Sequence, residues 1–579
     1  MTETNNNKIS GPAGVKNDRT GWLIALAAMA AAAVARLPAL GAWWNQDDWG
    51  LLARAAGLAT VPEWPIRWLS QVAYWQIFWP LAGLDPMPYA ASRLVLHALA
   101  AGGVVRLAGR LGLVRSQQWL AGLIMAATPL AFSALYWAAG VQDLLAVVCV
   151  VWSLERWLAP GRGSRLLAAV LAAGAVTAKE TAVGLPLLLI WLLIRESRRP
   201  TDRRRLAAWS LVAVTAIAAA ANAWLALRFF STAANEPYAL GGVGTVANNF
   251  GLYGLWLLSP GPRYQTNPGL AAGAAGGLLW LVWAGWSLVR WRRGDKIPAF
   301  TLAGALVMVA PLLPLRQHLA PDLAYPVEPF GSLALACLWP RRWTLKPVVT
   351  AGLVLACVAW GFFGMRGRLA LRDAAGLLAD PLVLRTAVSA AAVQHLRHLP
   401  LHGRTVVILQ PPLSRPAAAM AARLGENWVT GSLLYNSLGG AWGPRLVVGH
   451  ETTVRWANGL LTAPADAFVL LDGGRRIEPW GDIGQALLYQ TLTDLGAGLF
   501  ERARDHLLRA SRLAGQYLSL SYSPELLPLS LDAALANRRA FHAFLDESRG
   551  QRHTDADIEA VRINLEQLLR VCAGRDLGD

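Results

Sequence analysis

Ionisable side chains are scarce along most of this sequence, and the few that interrupt its apolar runs are of kinds that handle protons and phosphates. Asp47 and Asp48 stand together in WWNQDDWG (43–50), set among Trp43, Trp44 and Trp49. Arg67 lies among tryptophans in EWPIRWLSQVAYW, Asp143 follows Gly140 at the edge of an apolar run, and Lys179 and Glu180 are adjacent at the edge of another. Arg316 and His318 break an apolar segment just after Pro314, with Tyr325 close behind. A carboxylate takes a proton, cations hold a phosphate, and aromatic walls suit sugar rings or lipid; all three are present here. Each residue also has a bland explanation. Lys179 and Glu180 can pair with each other or snorkel to head groups, Asp143 can cap a helix, Arg67 can anchor at an interface, and Arg316 with His318 can mark a helix end. Asp47 and Asp48 alone would read as a solvated loop.

The elements that must position these residues follow from composition. The chain has 579 residues, 55% of them hydrophobic and 15% charged, with 27 Trp. A soluble globular chain carries about 25% charged residues. Apolar blocks recur at roughly 21–41, 89–108, 117–136, 141–158, 165–178, 181–195, 206–229, 268–290, 297–315, 326–340 and 346–364. Blocks of about 20 apolar residues are long enough to cross a ~30 Å hydrocarbon core, so eleven transmembrane helices are expected. The short alternating segments of a β-barrel are lacking. The first block contains Arg36 and is followed by many more, which marks it as an uncleaved helix and not a signal peptide.

A net charge of +17 raises nucleic acid as a partner, but the basic residues sit in short loops between apolar blocks: Arg106, Arg110 and Arg115; Arg156, Arg162 and Arg165; RESRRPTDRRR (195–205); WRRGDK (291–296); RRW (341–343). That is the positive-inside pattern. It places the N-terminus in the cytoplasm, and it puts the loops 42–88 and 230–267, the surroundings of Lys179, the segment 316–325 and everything after 365 on the outer face. The apolar stretch 245–260 would invert that pattern as a span, and it reads as an interfacial helix. Cys149, Cys337, Cys357 and Cys572 show neither disulfide nor metal-type spacing.

Beyond the membrane domain (21–365, after a cytoplasmic tail 1–20) the composition shifts. RTVVILQPP (404–412) and ADAFVLLDGG (465–474) read as short buried strands with turn signals, so 366–483 is expected to be a small α/β extracytoplasmic domain. The remainder, 484–579, reads as helical. TDLGAGLFERARDHLLRASRLAG (493–515) has the character of one tetratricopeptide-like unit, which cannot bury its own face alone.

Five stretches in order carry a resemblance: NQDDW after the first apolar block, IRWLSQVAYWQIFWPLAGLDPMPYAASRLVLHAL (66–99), TPLAFSALYWAAGVQDLLAVVCVVW (128–152), AKETAVGLPLLL (178–189) and RQHLAPDLAYPVEPFGSLALA (316–336). Over about residues 20–365 the series resembles the GT-C superfamily of polyprenyl-phosphate-sugar-dependent glycosyltransferases, in its protein O-mannosyltransferase-like and transmembrane-tetratricopeptide-type branch. The resemblance implies an all-α polytopic membrane domain followed by a smaller α/β plus helical domain. It also implies an inverting transfer of a sugar from a polyprenyl-phosphate donor to a protein, glycan or lipid acceptor at the outer face of the membrane. Asp47 or Asp48 then takes the place of the general base, with Asp48 preferred. Lys179, Arg316 and Arg67 would hold the donor phosphate with help from His318 and Tyr325; Glu180 would orient Lys179, and Asp143 would bind sugar or brace the first loop. Members of this class need no cofactor, although related oligosaccharyl transferases use a divalent cation, so Asp47–Asp48 as a cation site stays open. The sequence departs from the family where Arg67 is followed by Trp68 in place of proline, and where Ser133 and Ala134 stand in place of an acid. A membrane transporter or lipid-linked-sugar flippase, and an inactive GT-C scaffold in cell-envelope assembly, are the competing readings. Transport would call for broken helices with mid-bilayer charges and internal repeats, and no repeat is evident.

Overall fold

The computed structural model describes residues 19–61, 67–196, 203–228, 239–258, 270–316, 319–409 except 375, 433–457, 460–473 and parts of 477–509. It divides into two compact units. One holds Arg54–Leu384 together with the chain before Trp44; the other holds Trp44–Ala53 and the chain from Arg385 onward.

The first unit is helical: α1 (Arg19–Ala35), then after the second unit's α2 (Asp47–Ala55) come α3 (Tyr74–Ala82), α4 (Pro86–Arg110), α5 (Arg115–Ala127), α6 (Ala131–Tyr136), α7 (Val141–Leu158) and α8 (Arg162–Ala178). They are followed by α9 (Leu185–Glu196), α10 (Arg203–Leu227), α11 (Val243–Leu258), α12 (Leu270–Arg292), α13 (Ile297–Val309), α14 (Glu328–Leu338) and α15 (Pro347–Ala370). Helices α4 and α7 form the centre, packed on each other and flanked by α1, α5 and α8. Their burial contrasts with α10 and α15, whose apolar side chains such as Ile217, Leu355, Trp360 and Phe363 face outward. Apolar helix faces without protein cover belong against lipid, so the chain is a membrane protein.

The apolar blocks all coincide with helices, but eleven spans do not result. By length and composition, four helices among the described residues can cross a membrane: Pro86–Arg110, Ala138–Leu158, Leu206–Leu227 and Pro347–Ala370. Arg19–Ala35, Glu180–Ile194 and Ile297–Leu312 are apolar but shorter. The reason is that chain breakers cut the apolar runs. The block at 117–136 stops at Thr128-Pro129 and restarts as α6, and the block at 181–195 begins as a 3-10 turn, Glu180–Gly184. Eleven-residue α14 rises only roughly 16 Å, about half of a hydrocarbon core.

Helix α11, expected to lie along an interface, is packed on α12. A Cβ added to Gly276 would stand 1.6 Å from the Gly251 carbonyl oxygen, and one added to Gly251 would stand 2.1 Å from that of Gly273. Only glycine permits this backbone approach, which is how small residues let helices pack where water provides no driving force.

The second unit contains α2, α16 (Pro381–Leu396, whose first residues lie in the first unit), α17 (Leu433–Ser437), α18 (Trp442–Val448) and a four-stranded sheet. Strands β1 (Thr405–Leu409), β2 (Thr453–Ala457), β3 (Phe468–Asp472) and β4 (Ile477–Asp482) lie in the order β2-β1-β3-β4. β1 runs parallel to both neighbours, and β4 is antiparallel to β3 with a bulge at Val469/Leu470. Val406, Val407, Ile408 and Leu409 are all buried, as a central parallel strand requires. The helical unit expected at 493–515 falls almost entirely outside the described residues.

Candidate functional site

In the first unit the sequence-predicted charges meet as two crossed ion pairs. Helix α8 ends at Ala178; Lys179 then takes an extended backbone (φ −159°, ψ 142°) before Glu180 begins the 3-10 turn. Successive side chains on an extended backbone point to opposite sides. Lys179 therefore turns to α7, where its Nζ donates to Asp143 Oδ1 at 2.6 Å. Glu180 turns to Arg67, which clamps it with two donors: Nε reaches Oε2 at 2.6 Å, and Nη2 reaches Oε1. The third donor, Arg67 Nη1, meets Gln142 Oε1 at 2.8 Å. The hydrogen bonds of Glu180 thus go to Arg67, and that of Lys179, the neighbour it was expected to orient, goes to Asp143.

These contacts are inside the protein. The side chains of Lys179 and Asp143 are 2% and 5% exposed, and those of Arg67 and Glu180 are 14% and 17% exposed. Charges at such depth persist when paired and hydrogen-bonded. The approach is fixed by Ser70, whose Oγ donates to the Ala178 carbonyl at 2.6 Å and ties the segment carrying Arg67 to the end of α8.

Further buried polar groups lie in the same unit. Asp322, in the 3-10 helix Pro321–Val327, interacts electrostatically with Asp143, as do Tyr253 of α11 and Tyr325. The Tyr325 hydroxyl lies 2.9 Å from His97 Nδ1, and His97 Nε2 is 3.3 Å from the Ala126 carbonyl. Arg36 donates from Nη2 to the carbonyl of Thr128 at 2.6 Å, covering a helix end that Pro129 leaves open. Asn249 of α11 donates to the carbonyls of Leu313 and Leu315 at 2.9 and 2.8 Å, pinning the chain just before Arg316.

Gln142, His97, Tyr253 and Arg36 went unrecognised as members of this network. For Gln142 there was a usable signal, since it sits beside Asp143 at the start of an apolar helix. His97, by contrast, is a lone histidine within a long helix, and nothing in its spacing announces Tyr325.

Arg316 is exposed, and among the described residues it joins neither ion pair; its backbone N–H donates to the Ala239 carbonyl at 2.8 Å. His318 lies outside the described residues. Asp47 and Asp48 belong to the other unit. They open α2 and differ sharply: Asp47 is exposed, whereas Asp48 is fully buried and its Oδ2 accepts from the Asn45 backbone N–H at 2.9 Å. Trp49 anchors the turn, donating through Nε1 to the Ser437 carbonyl at 3.0 Å and to Ser389 Oγ at 3.2 Å. Gln46, just ahead of the helix, has φ +50°, a left-handed backbone uncommon for a long side chain. Among the described residues no group of three or more His, Cys, Asp or Glu side chains is placed to hold a metal ion.

No protein-family model matches the chain, and no curated protein matches it. Among solved structures it is similar to the oligosaccharyltransferase of Archaeoglobus fulgidus, crystallised with an acceptor peptide containing the NVT sequon tethered via a disulfide bond. Identity is 13% and the TM-score 0.39, with 76% of this chain and 64% of the oligosaccharyltransferase covered. The match thus spans less than two thirds of that enzyme's length.

Proposed function

We propose that this protein is an inverting membrane glycosyltransferase of the GT-C type, which moves a sugar from a polyprenyl-phosphate donor to an acceptor hydroxyl. The observation that carries the reading is the two crossed ion pairs, the buried Lys179–Asp143 and the part-buried Arg67–Glu180, inside an otherwise apolar helical unit. Ionisable groups at membrane depth are costly and mark working sites. A cation held by an acid stays charged and aimed, and Asp143 occupies only one of the three donors of the Lys179 ammonium. The donor's glycosidic bond breaks toward the phosphate, whose oxygen keeps the electron pair. Lys179 and Arg67 stabilise that growing charge. The acceptor oxygen forms the new bond at the anomeric carbon from the opposite side and gives up its proton to a carboxylate. By the resemblance that carboxylate comes from Asp47–Asp48; we assign it to Asp47, whose side chain is exposed, and give Asp48 the task of holding the turn.

The test is release of polyprenyl phosphate by purified protein supplied with polyprenyl-phosphate sugars and a mixture of peptide and glycan acceptors. Lys179→Met and Arg67→Met are expected to lower turnover about 10²–10³-fold, the cost of losing one preorganised donor to a developing anion. Asp47→Asn is expected to abolish transfer while donor binding persists. Wild-type turnover in Lys179→Met would overturn the assignment, and donor uptake across a vesicle membrane without bond cleavage would replace it with transport.

A further inference from the structure

At the far end of α7 from Asp143, roughly 18 Å along the helix, a second charged cluster has a different balance. The fully buried carboxylate of Glu155 is shared by three arginines: Arg110 Nε at 3.0 Å, Arg156 Nε at 2.5 Å and Arg106 Nη2 at 3.7 Å. Three cations on one anion leave a local excess of two positive charges. Arg110 and Arg156 hold Glu155 through Nε, and among the described residues no acceptor meets their outer Nη groups. Their side chains are 16% and 24% exposed, so those donors are within reach of the surroundings. Orienting the chain in a membrane needs only positive charge in loops; it does not need guanidiniums fixed on a buried acid.

Apolar surface adjoins the cluster. Arg106 lies over the ring of Trp22 at 4.4 Å, and Trp22 stacks on Trp152 with centroids 6.0 Å apart. Trp22 is 41% exposed, and one turn further along the same face of α1 Leu26 is 54% exposed. An anionic head with an apolar tail fits this arrangement: phosphate on the outer nitrogens of Arg110 and Arg156, acyl chain along Trp22 and Leu26.

We infer that Arg110 and Arg156, fixed by Glu155, form a binding site for the phosphate of an anionic phospholipid, separate from the Lys179 site. Basic clusters between membrane helices suit such head groups, and the fixed geometry makes the site selective for a net negative one. The test uses the full chain, purified in neutral detergent and titrated with phosphatidylglycerol, phosphatidylcholine or soluble glycerol 3-phosphate. Retention is read by native mass spectrometry and Tm by thermal melting. Phosphatidylglycerol is expected to be retained and to raise Tm, while the other two leave both unchanged. Arg110→Gln with Arg156→Gln is expected to weaken retention about thirtyfold, from the loss of two head-group arginines, whereas Arg341→Gln leaves it as in wild type. Equal retention of phosphatidylcholine, an equal Tm rise from glycerol 3-phosphate, or undiminished retention in the double variant overturns the proposal. Should the double variant fail to fold, the three wild-type titrations decide by themselves.

Discussion

Removing the Lys179 ammonium strands the Asp143 carboxylate in an apolar interior, and the cost of such a stranded charge is about 3–5 kcal/mol. Lys179→Met is therefore expected to lower the melting temperature sharply, and Asp143→Asn to do so as well. The double variant, with neither charge left, should melt above either single one; additive losses would show that the two side chains are not a pair. Arg67→Lys separates position from charge, because one ammonium cannot reproduce the fork that grips Glu180 and Gln142. At Asp47–Asp48 the expected split is functional against structural: Asp47→Asn loses transfer at unchanged Tm, and Asp48→Asn loses about 0.5–2 kcal/mol with its hold on the helix start. That Asp143, Lys179 and Glu180 stand at the edges of apolar runs, and Arg67 among tryptophans, was legible in the sequence. Who pairs with whom was not. The extended residue at Lys179 sends consecutive side chains to opposite sides, and a linear reading naturally marries neighbours.

Helix positions were the most readable elements, since an apolar run of sufficient length has few other ways to satisfy its backbone. What the runs concealed was their interruptions, as at Thr128-Pro129 and in the 3-10 turn Glu180–Gly184, where the polar network is built. Strands β1 and β3 showed as continuous apolar runs. Strand β2 (TVRWA) mixes exposed and buried positions, and β4 carries Pro479 beside a bulge, so both lacked a clean period. The contact of α11 with α12 permits a sharp comparison between two glycines one residue apart. Gly276→Ala forces the helices to separate and should cost about 1–3 kcal/mol. Gly277→Ala meets nothing within 4 Å and should stabilise by about 1 kcal/mol through helix propensity. Equal melting shifts for the two would show that the helices are not in backbone contact.

For the molecule as a whole, loop charge predicts which ends of the helices share a side of the membrane. With native cysteines replaced, Met87→Cys should react with a membrane-impermeant maleimide on sealed right-side-out membrane vesicles, and Arg293→Cys only after permeabilisation; both positions are exposed on the protein. The reverse pattern would turn the chain over. The composition of the second unit was not legible: no local signal says that ten residues near the N-terminus complete a unit made from the C-terminal third. That composition governs time. Trp49 and its acceptor, the Ser437 carbonyl, are 388 residues apart, and at typical rates of synthesis the ribosome needs roughly 20–80 s to travel from one to the other. Throughout that interval Trp44, Trp49 and the Asp48 carboxylate wait without the partners that bury them, so the nascent chain passes through a stage in which a sticky, acidic hook awaits its socket. A C-terminal fragment made alone meets the mirror image of the problem, and supplying the 44–53 peptide in trans is the direct way to rescue it.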